Sequence, residues 1–343
     1  MKLEFSKLPL SDVISSIDET KVMDWQKDIL NFLKNYSKEH SEIEINEMQV
    51  ENIFTVNLLK DNIQKAVQAL NEFIGIKEGD STLISQSIRT KDGVISLAQA
   101  IEGKMDAYCV EPTEEIKIPY TEQDQSAINW GLNYIYLNEK QIHSSSDILH
   151  RIEKIVVQTN GMTDETKANL YQNNNQKIYE VFCVRSFPVA IRKIEDNQFQ
   201  TFGDVEVKRS PKGHLIVKSP NFLEEIDTLK LVNIIDQKTF RWLSKNEFID
   251  NDTHQIIDFD HIEDVLRPHI PSSFVVINFP DAETGKEVVT LVVKRLYIKD
   301  FNFPTDGLKD YEIPRQNYSL GEFPENNDRE VIRREVERLL KEK

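Results

Sequence analysis

The stretch Phe240–Leu266, FRWLSKNEFIDNDTHQIIDFDHIEDVL, constrains this chain more than any other. Phe240, Trp242 and Leu243 close an alternating run, LVNIIDQKTFRWL, that reads as a strand. The polar segment Ser244–Glu247 follows and is the candidate hinge between two domains. Ile257, Ile262 and Leu266 then resume the apolar pattern as a short helix with an acidic first turn. Asp258, Asp260, His261 and Glu263, near His254, form a ligand-like cluster of hard and borderline donors. Helix periodicity explains the same residues as a solvated polar face, with His254 on the preceding loop, and no metal is expected. A length of 343 residues divided here implies a large domain, 1–243, and a small one, 244–343.

Beyond the hinge, Phe274–Val293 reads as two alternating strands with Pro280, Asp281 and Gly285 at the turn between them. Tyr311–Arg315, YEIPR, precedes a last strand, and Phe323–Arg334, FPENNDREVIRR, leads into a charged C-terminal helix from Arg329. Before the hinge, Asp24–Tyr36 places Trp25, Ile29, Phe32, Leu33 and Tyr36 on one helical face. Leu59–Asp80 turns Ile63, Val67, Leu70 and Phe73 inward and ends in a Gly-bearing turn before the strand STLIS. Phe199–Leu243 is an antiparallel β-region with a turn at Ser210–Gly213. Ser126–His150 is rich in Asn, Gln and Ser and carries no motif; Ser144–Asp147 reads as a loop and N-cap.

The Phe240–Leu266 stretch resembles, without a gap, the hinge of the acyl-adenylate-forming ligases: F-x-W-L-G-R-x-D-N-V-I-N-S-G-G-x-K-I-x-P-E-x-I-E-x-x-L. Within that family it is most similar to the o-succinylbenzoate–CoA ligases of menaquinone synthesis. Phe274–Val293, Tyr311–Arg315 and Phe323–Arg334 are similar to the family's V-x-G-x-P-D-x-x-x-G-E-x-V-x-L-V-V, Y-x-x-P-R and F-P-x-T-x-N-G-K-I-x-R-K. Leu97–Pro112 resembles the helix Y-I-A-G-K-M-M through Gly103, Lys104 and Met105, and Tyr179–Ile194 resembles Y-E-T-Y-G-M-T-E-T-x-S-H-I-A-L-R-K-I with two residues deleted. The resemblance implies an α/β fold: a large N-terminal α/β domain with mixed sheets and a small α+β C-terminal lid. It also implies a ligand pocket near Gly103, Lys104, Gly161 and Phe187.

The frame is kept where the nucleotide chemistry is altered. The family's phosphate loop, T-S-G-S-T-G-x-P-K, needs glycines so that backbone N–H groups can close on phosphate oxygens. Here Glu47–Thr55 holds no Gly and no Lys, but does hold Glu47 and Glu51. Each carboxylate 4 Å from a phosphate charge repels it by about 4 kcal/mol at an effective dielectric of 20. QTNGMTDETK, within Ile152–Leu170, looks superficially like a displaced phosphate loop, but one Gly and no Pro before Lys fit better a strand at Ile155–Val157, a turn at Gln158–Gly161 and a helix from Thr163 or Asp164. The Glu that helps hold Mg²⁺ in T-E-T is replaced within Arg185, Ser186 and Phe187. The ribose-binding Asp falls on Lys230, an ammonium that cannot accept hydroxyls. The hinge Gly-Arg is Ser244-Lys245, and the catalytic Lys of the lid falls on Glu330.

Five such changes point to a ligase scaffold without adenylation, one that binds an acyl or aromatic carboxylate or serves as a protein partner, with no cofactor. The alternative is an active ligase using ATP, Mg²⁺ and CoA, with Lys230, Lys245, Arg185 or Arg333 as substitute groups. A formal net charge of −16 disfavours nucleic acid and anionic membranes. Two cysteines, Cys109 and Cys183, with no metal spacing, suit a reducing cytoplasm; Cys183 reads as a core residue.

Overall fold

The computed structural model describes all residues except 50–51, 114, 117–131, 145–148, 150–151, 160–169, 171–175, 186, 221, 245, 251, 296–305, 327 and 343, and the side chains of 47–49, 52–54, 56 and 143. The chain divides into two compact units. One holds Met1–Val207, Val217–Ile226 and Asp236–Thr239; the other holds Lys208–Ile216, Asp227–Ile235 and Phe240–Lys343.

The first unit runs β1 (Lys2–Glu4), α1 (Leu10–Ser15), α2 (Asp24–Tyr36), β2 (Glu42–Gln49), β3 (Asn52–Leu59), α3 (Lys60–Ile74), β4 (Ser81–Ile84), α4 (Lys91–Glu102), β5 (Asp106–Cys109), β6 (Tyr134–Asn138), α5 (Glu139–Ser144), β7 (Lys154–Gln158), β8 (Lys177–Val184), β9 (Phe187–Lys193) and β10 (Phe199–Thr201). Its sheet has the order β1-β5-β4-β6-β7-β8-β9-β10. The five strands β5, β4, β6, β7 and β8 are parallel, and β1 and β9 flank them antiparallel. Both faces are covered, which is why YIYL of β6 and IVV of β7 are unbroken apolar runs rather than alternating ones. Tyr134, Tyr136 and Val156 enter one core with residues of α2, α3 and α4; Ile135, Leu137, Ile155 and Val157 enter the other with Ile116, Ile142, Leu149 and Leu170.

Helix α2 keeps the expected bounds, with Ile29, Phe32, Leu33 and Tyr36 buried and Trp25 packed beside them. In α3, Ile63, Val67 and Leu70 are buried, and Phe73 meets Tyr179 and Phe202 edge to face. Gly75 ends α3 at φ +70°, a left-handed cap that costs a Cβ-bearing residue about 1 kcal/mol. The expected helix across Leu97–Pro112 is corrected: α4 stops at Glu102, Lys104 takes φ +48°, and Asp106–Cys109 is a parallel strand. The central strand β6 lies in the region that carried no motif, because its five residues are too few to show a period.

The β-region expected from Phe199 contains β10, then β11 (Glu206–Arg209), β12 (His214–Lys218), β13 (Ile226–Ile234) and β14 (Thr239–Trp242). Ser210 accepts from Gly213 N at 2.9 Å at the expected turn. The second unit continues with β15 (Glu247–Ile249), β16 (Ile256–Asp258), α6 (Phe259–Leu266), β17 (Phe274–Pro280), β18 (Glu287–Lys294), β19 (Gln316–Leu320) and α7 (Arg329–Lys341). Strands β17 and β18 form the foreseen hairpin, and β19 joins β18 in parallel. At the hairpin turn Asp281 accepts from Thr284 N at 2.8 Å and Gly285 has φ +68°. Among the described residues no helix is long and apolar enough to cross a membrane.

Candidate functional site

Parallel strands deliver their C-terminal ends to one edge of a sheet, and ligands of open α/β sheets bind outside that edge. Here the edge carries Ser85, Gln86 and Ser87 after β4, Asn138 ending β6, and Gln158 and Thr159 ending β7. With Thr90 and Asp92 at the start of α4, Pro112, Thr113, Glu139, Lys140 and Gln141, they line a cavity of about 630 Å³.

Most of its wall is held by hydrogen bonds between neutral groups, with Lys91 and Asp92 engaged at Gln158. The Gln86 amide donates to the Tyr136 carbonyl and, at 2.9 Å, to Gln141 Oε1. Ser96 Oγ donates to Gln86 Oε1 at 3.3 Å, and Gln141 Nε2 donates to Ser85 Oγ at 3.1 Å. Gln141 N donates to Asn138 Oδ1 at 3.1 Å. Gln158 takes the amide orientation its neighbours require: its nitrogen donates to Asp92 and its oxygen accepts from Lys91 Nζ at 3.0 Å. Burial raises the Asp92 carboxyl, with Lys91 opposing. Thr90 caps α4, its hydroxyl donating to the Ser87 carbonyl at 2.7 Å. Gly93 in the first turn lets α4 lie against that loop, since a Cβ there would collide with the Ser87 carbonyl group. This polar edge was missed in the sequence, apart from Gln158; its parts lie far apart in the chain and none forms a local motif.

Within the first unit, the described residues singled out from the sequence do not gather at one place. Gly103 and Lys104 cap the far end of α4, and Lys104 pairs with Glu78 at 3.0 Å. Gly103 is required there by close approach of Gln99, Asn71 and Ile76. Because α4 runs back from the C-terminal edge of β4 to the start of β5, this cap lies at the opposite edge from the cavity. Phe187 starts β9, buried against Phe222 at 6.1 Å. Arg185, exposed at φ +44° in the β8–β9 hairpin, faces Glu224 at 3.4 Å. Glu47 lies in β2, paired with Phe54 of β3 in an antiparallel hairpin that spans the expected phosphate loop. Glu51, Gly161, Ser186 and Lys245 lie outside the described residues, as do the expected helix start at Thr163 or Asp164 and most of Ser144–Asp147. The strand expected at Ile155–Val157 is the centre of β7. Cys183 is only partly covered, with the Tyr136 hydroxyl 4.0 Å from Sγ, and burial pushes its thiol up to about 12.

In the second unit, Lys230 on β13 lies over the Trp242 ring at 5.3 Å, a cation–π contact. Arg241 grips Glu247 with two bonds of 2.6 Å, and Glu247 also accepts from Ser244 N at 2.8 Å, so Ser244 and Glu247 are held to each other and to β14. The carboxylates considered as metal donors have other work. Asp258 caps α6. Glu263 accepts from Val276 N at 2.9 Å and from Arg333 at 2.7 Å. Asp260 accepts from Arg333 at 2.6 Å and from Asn246 at 2.7 Å. Burial raises the Asp260 carboxyl, but the hydrogen bonds and charges of Arg333 and Arg329 together more than offset this, so it stays below its ordinary value. Among the described residues no group of three or more His, Cys, Asp and Glu side chains could hold a metal ion. Glu330 lies in the first turn of α7, where a carboxylate complements the helix dipole, and meets Arg334 at 3.4 Å.

No protein-family model matches the chain, and no curated protein matches it in sequence. Solved structures do. The acyl-CoA synthetase (AMP-forming)/AMP-acid ligase II-like protein of Dyadobacter fermentans matches with a TM-score of 0.62 at 12% identity, over 96% of this chain and 97% of that one. Apo MatB of Rhodopseudomonas palustris matches with 0.50 at 13% identity, over 86% of this chain and 68% of that one. Unliganded o-succinylbenzoate coenzyme A synthetase (MenE) of Bacillus subtilis reaches 0.47 at 14% identity, over 83% and 65%. At such identities the likeness is one of fold, and in fold this chain is similar to the AMP-forming acyl-CoA synthetases.

Proposed function

We propose that this chain is a ligase-fold protein that no longer adenylates its ligand. In this reading it binds an acyl or aryl carboxylate, or serves as a partner of another protein, in a reducing cytoplasm and without ATP, Mg²⁺ or CoA. Residues 244–343 stand where the family has its lid. One observation supports the reading: among the described residues, the three cations considered as substitutes for the lost groups are engaged elsewhere. Arg333 is buried between Glu263 and Asp260, Arg185 faces Glu224, and Lys230 lies on Trp242. At the position of the family's lid lysine stands Glu330, which opposes rather than stabilises charge developing on an α-phosphate.

The fold likeness to an AMP-forming synthetase over nearly the whole chain favours a second reading, an active acid–CoA ligase that forms acyl-AMP and then acyl-CoA. Calorimetric titration with ATP and Mg²⁺ at low salt, with and without o-succinylbenzoate, separates the two. The proposal expects no saturating heat at millimolar ATP and no pyrophosphate release. Saturation at micromolar ATP followed by pyrophosphate release would establish the active ligase instead.

A further inference from the structure

The polar segment Ser244–Glu247 reads from the sequence as a hinge between two domains. We propose instead that the β15–β16 hairpin, which this segment enters, is a clasp. It fastens residues 208–216, 227–235 and 240–243 to residues 256–343, so that all of them move as one body with no rotation about Ser244–Glu247. This holds whether or not the chain adenylates a ligand.

The hairpin divides its side chains between two neighbours. Successive residues of a strand point to opposite faces, and Phe248 and Ile249 do so here. Phe248 stacks on Phe259 with ring centroids 5.2 Å apart, and packs against the core formed by α6, β17 and β18. Ile249 lies against Gly213, in the turn between β11 and β12. A Cβ on Gly213 would come within 2.2 Å of Ile249 Cδ1 and 3.3 Å of Cδ2 of Leu231 on β13. Gly213 also has φ +84°, so both the turn and the close approach call for glycine.

Polar contacts secure both ends of the hairpin. At its tip, Arg209 of β11 donates to the His254 carbonyl at 2.7 Å, and Lys286 in the β17–β18 turn meets Asp252 at 2.8 Å. At its base, Arg241 of β14 holds Glu247. The Asn246 carbonyl accepts from Phe259 N at 2.9 Å, and the Asn246 side chain donates to Asp260 at 2.7 Å. A rotation about Ser244–Glu247 would have to break the Arg209–His254 bond and part Ile249 from Gly213. It would also pull Arg241 from a Glu247 side chain that is 7% exposed. Every residue in these contacts belongs to the second compact unit, which takes in 208–216 and 227–235 ahead of the expected hinge.

The test is the distance between two nitroxide labels on the full chain, measured by double electron–electron resonance. Lys212→Cys and His269→Cys place the labels at exposed positions, one on each side of the hairpin. Cys183→Ala removes the half-covered native thiol, and Cys109 is 2% exposed and stays unlabelled. One narrow distance is expected, unchanged by ATP with Mg²⁺ or by benzoate. Two distances, or one that shifts with either addition, would overturn the proposal. Arg209→Ala combined with Ile249→Ala is expected to broaden the distribution and to speed amide exchange in Glu247–Ile249 and Ile256–Asp258 by at least about tenfold. A double variant as narrow and as protected as the parent would overturn it as well, because these contacts would then not hold the hairpin. The labelled parent decides the matter even where the double variant does not fold.

Discussion

Arg333 shows how a residue that could serve a reaction is committed to the fold. It is 6% exposed, lies on α7, and joins Glu263 and Asp260 of α6 to Asn246. Glu263 is 1% exposed, so removing its partner strands a buried charge. Breaking such a pair costs about 3–5 kcal/mol. Arg329 remains 3.2 Å from Glu263 and softens the loss, so Arg333→Ala is expected to destabilise the second unit by about 3 kcal/mol, the lower end of that range. Urea unfolding followed through Trp242 measures it, and an unchanged midpoint would show that the network is ornamental. None of this pairing was legible beforehand. Glu263 and Arg333 are 70 residues apart, and in the sequence each belonged to a helix whose polar face could equally have met water.

At the scale of elements, sequence patterns succeed where a period is long enough to register. Helix α2 spans 13 residues and α3 spans 15, and both carry their apolar faces where the spacing places them. The hairpin of β17 and β18 follows from alternation and the Asp281–Gly285 turn. Strands β6 and β5 are short, with 5 and 4 residues, and fully or half buried, so neither shows an amphipathic signature. Helix α4 is buried on every face from Gly93 to Ala100, Ser96 and Gln99 included, so its end at Gly103 rather than further on was set by packing. Gly93 in its first turn is decisive for the candidate site. A methyl group there would push the Ser87 carbonyl away from the cavity rim. Overpacking of this kind costs typically ~1–3 kcal/mol; because the obstacle is backbone, Gly93→Ala is expected at the upper end. Thermal unfolding would check this, and a variant as stable as the parent would mean that α4 has room to move.

For the whole molecule, the proposed loss of adenylation rests on several altered positions rather than on one. If Glu330 alone were responsible, Glu330→Lys would restore a cation at the lid position. The non-adenylating reading expects that variant to release no pyrophosphate with ATP, Mg²⁺ and a carboxylate, because the glycine-free loop and the lost Mg²⁺ and ribose ligands remain. Measurable release above the parent chain would count against that reading. Loss of the Glu330–Arg334 contact at 3.4 Å should cost less than about 1 kcal/mol, and reversing the charge in the first turn of α7 about 0.3–1 kcal/mol more, so the variant is a fair test once thermal unfolding shows it folded.

What the sequence determined on its own was the framework of this protein: the aromatic and apolar positions of Phe240–Leu266, the strand pairs on either side of the hinge, and the helices long enough to show a 3.6-residue period. Those features are local, because periodicity and turn chemistry act over a few residues. The cavity wall was decided by tertiary structure alone. Ser85, Asn138, Gln141 and Gln158 acquire a common purpose only when parallel strands β4, β6 and β7 end at the same edge. Strand order is a long-range property that no local spacing encodes.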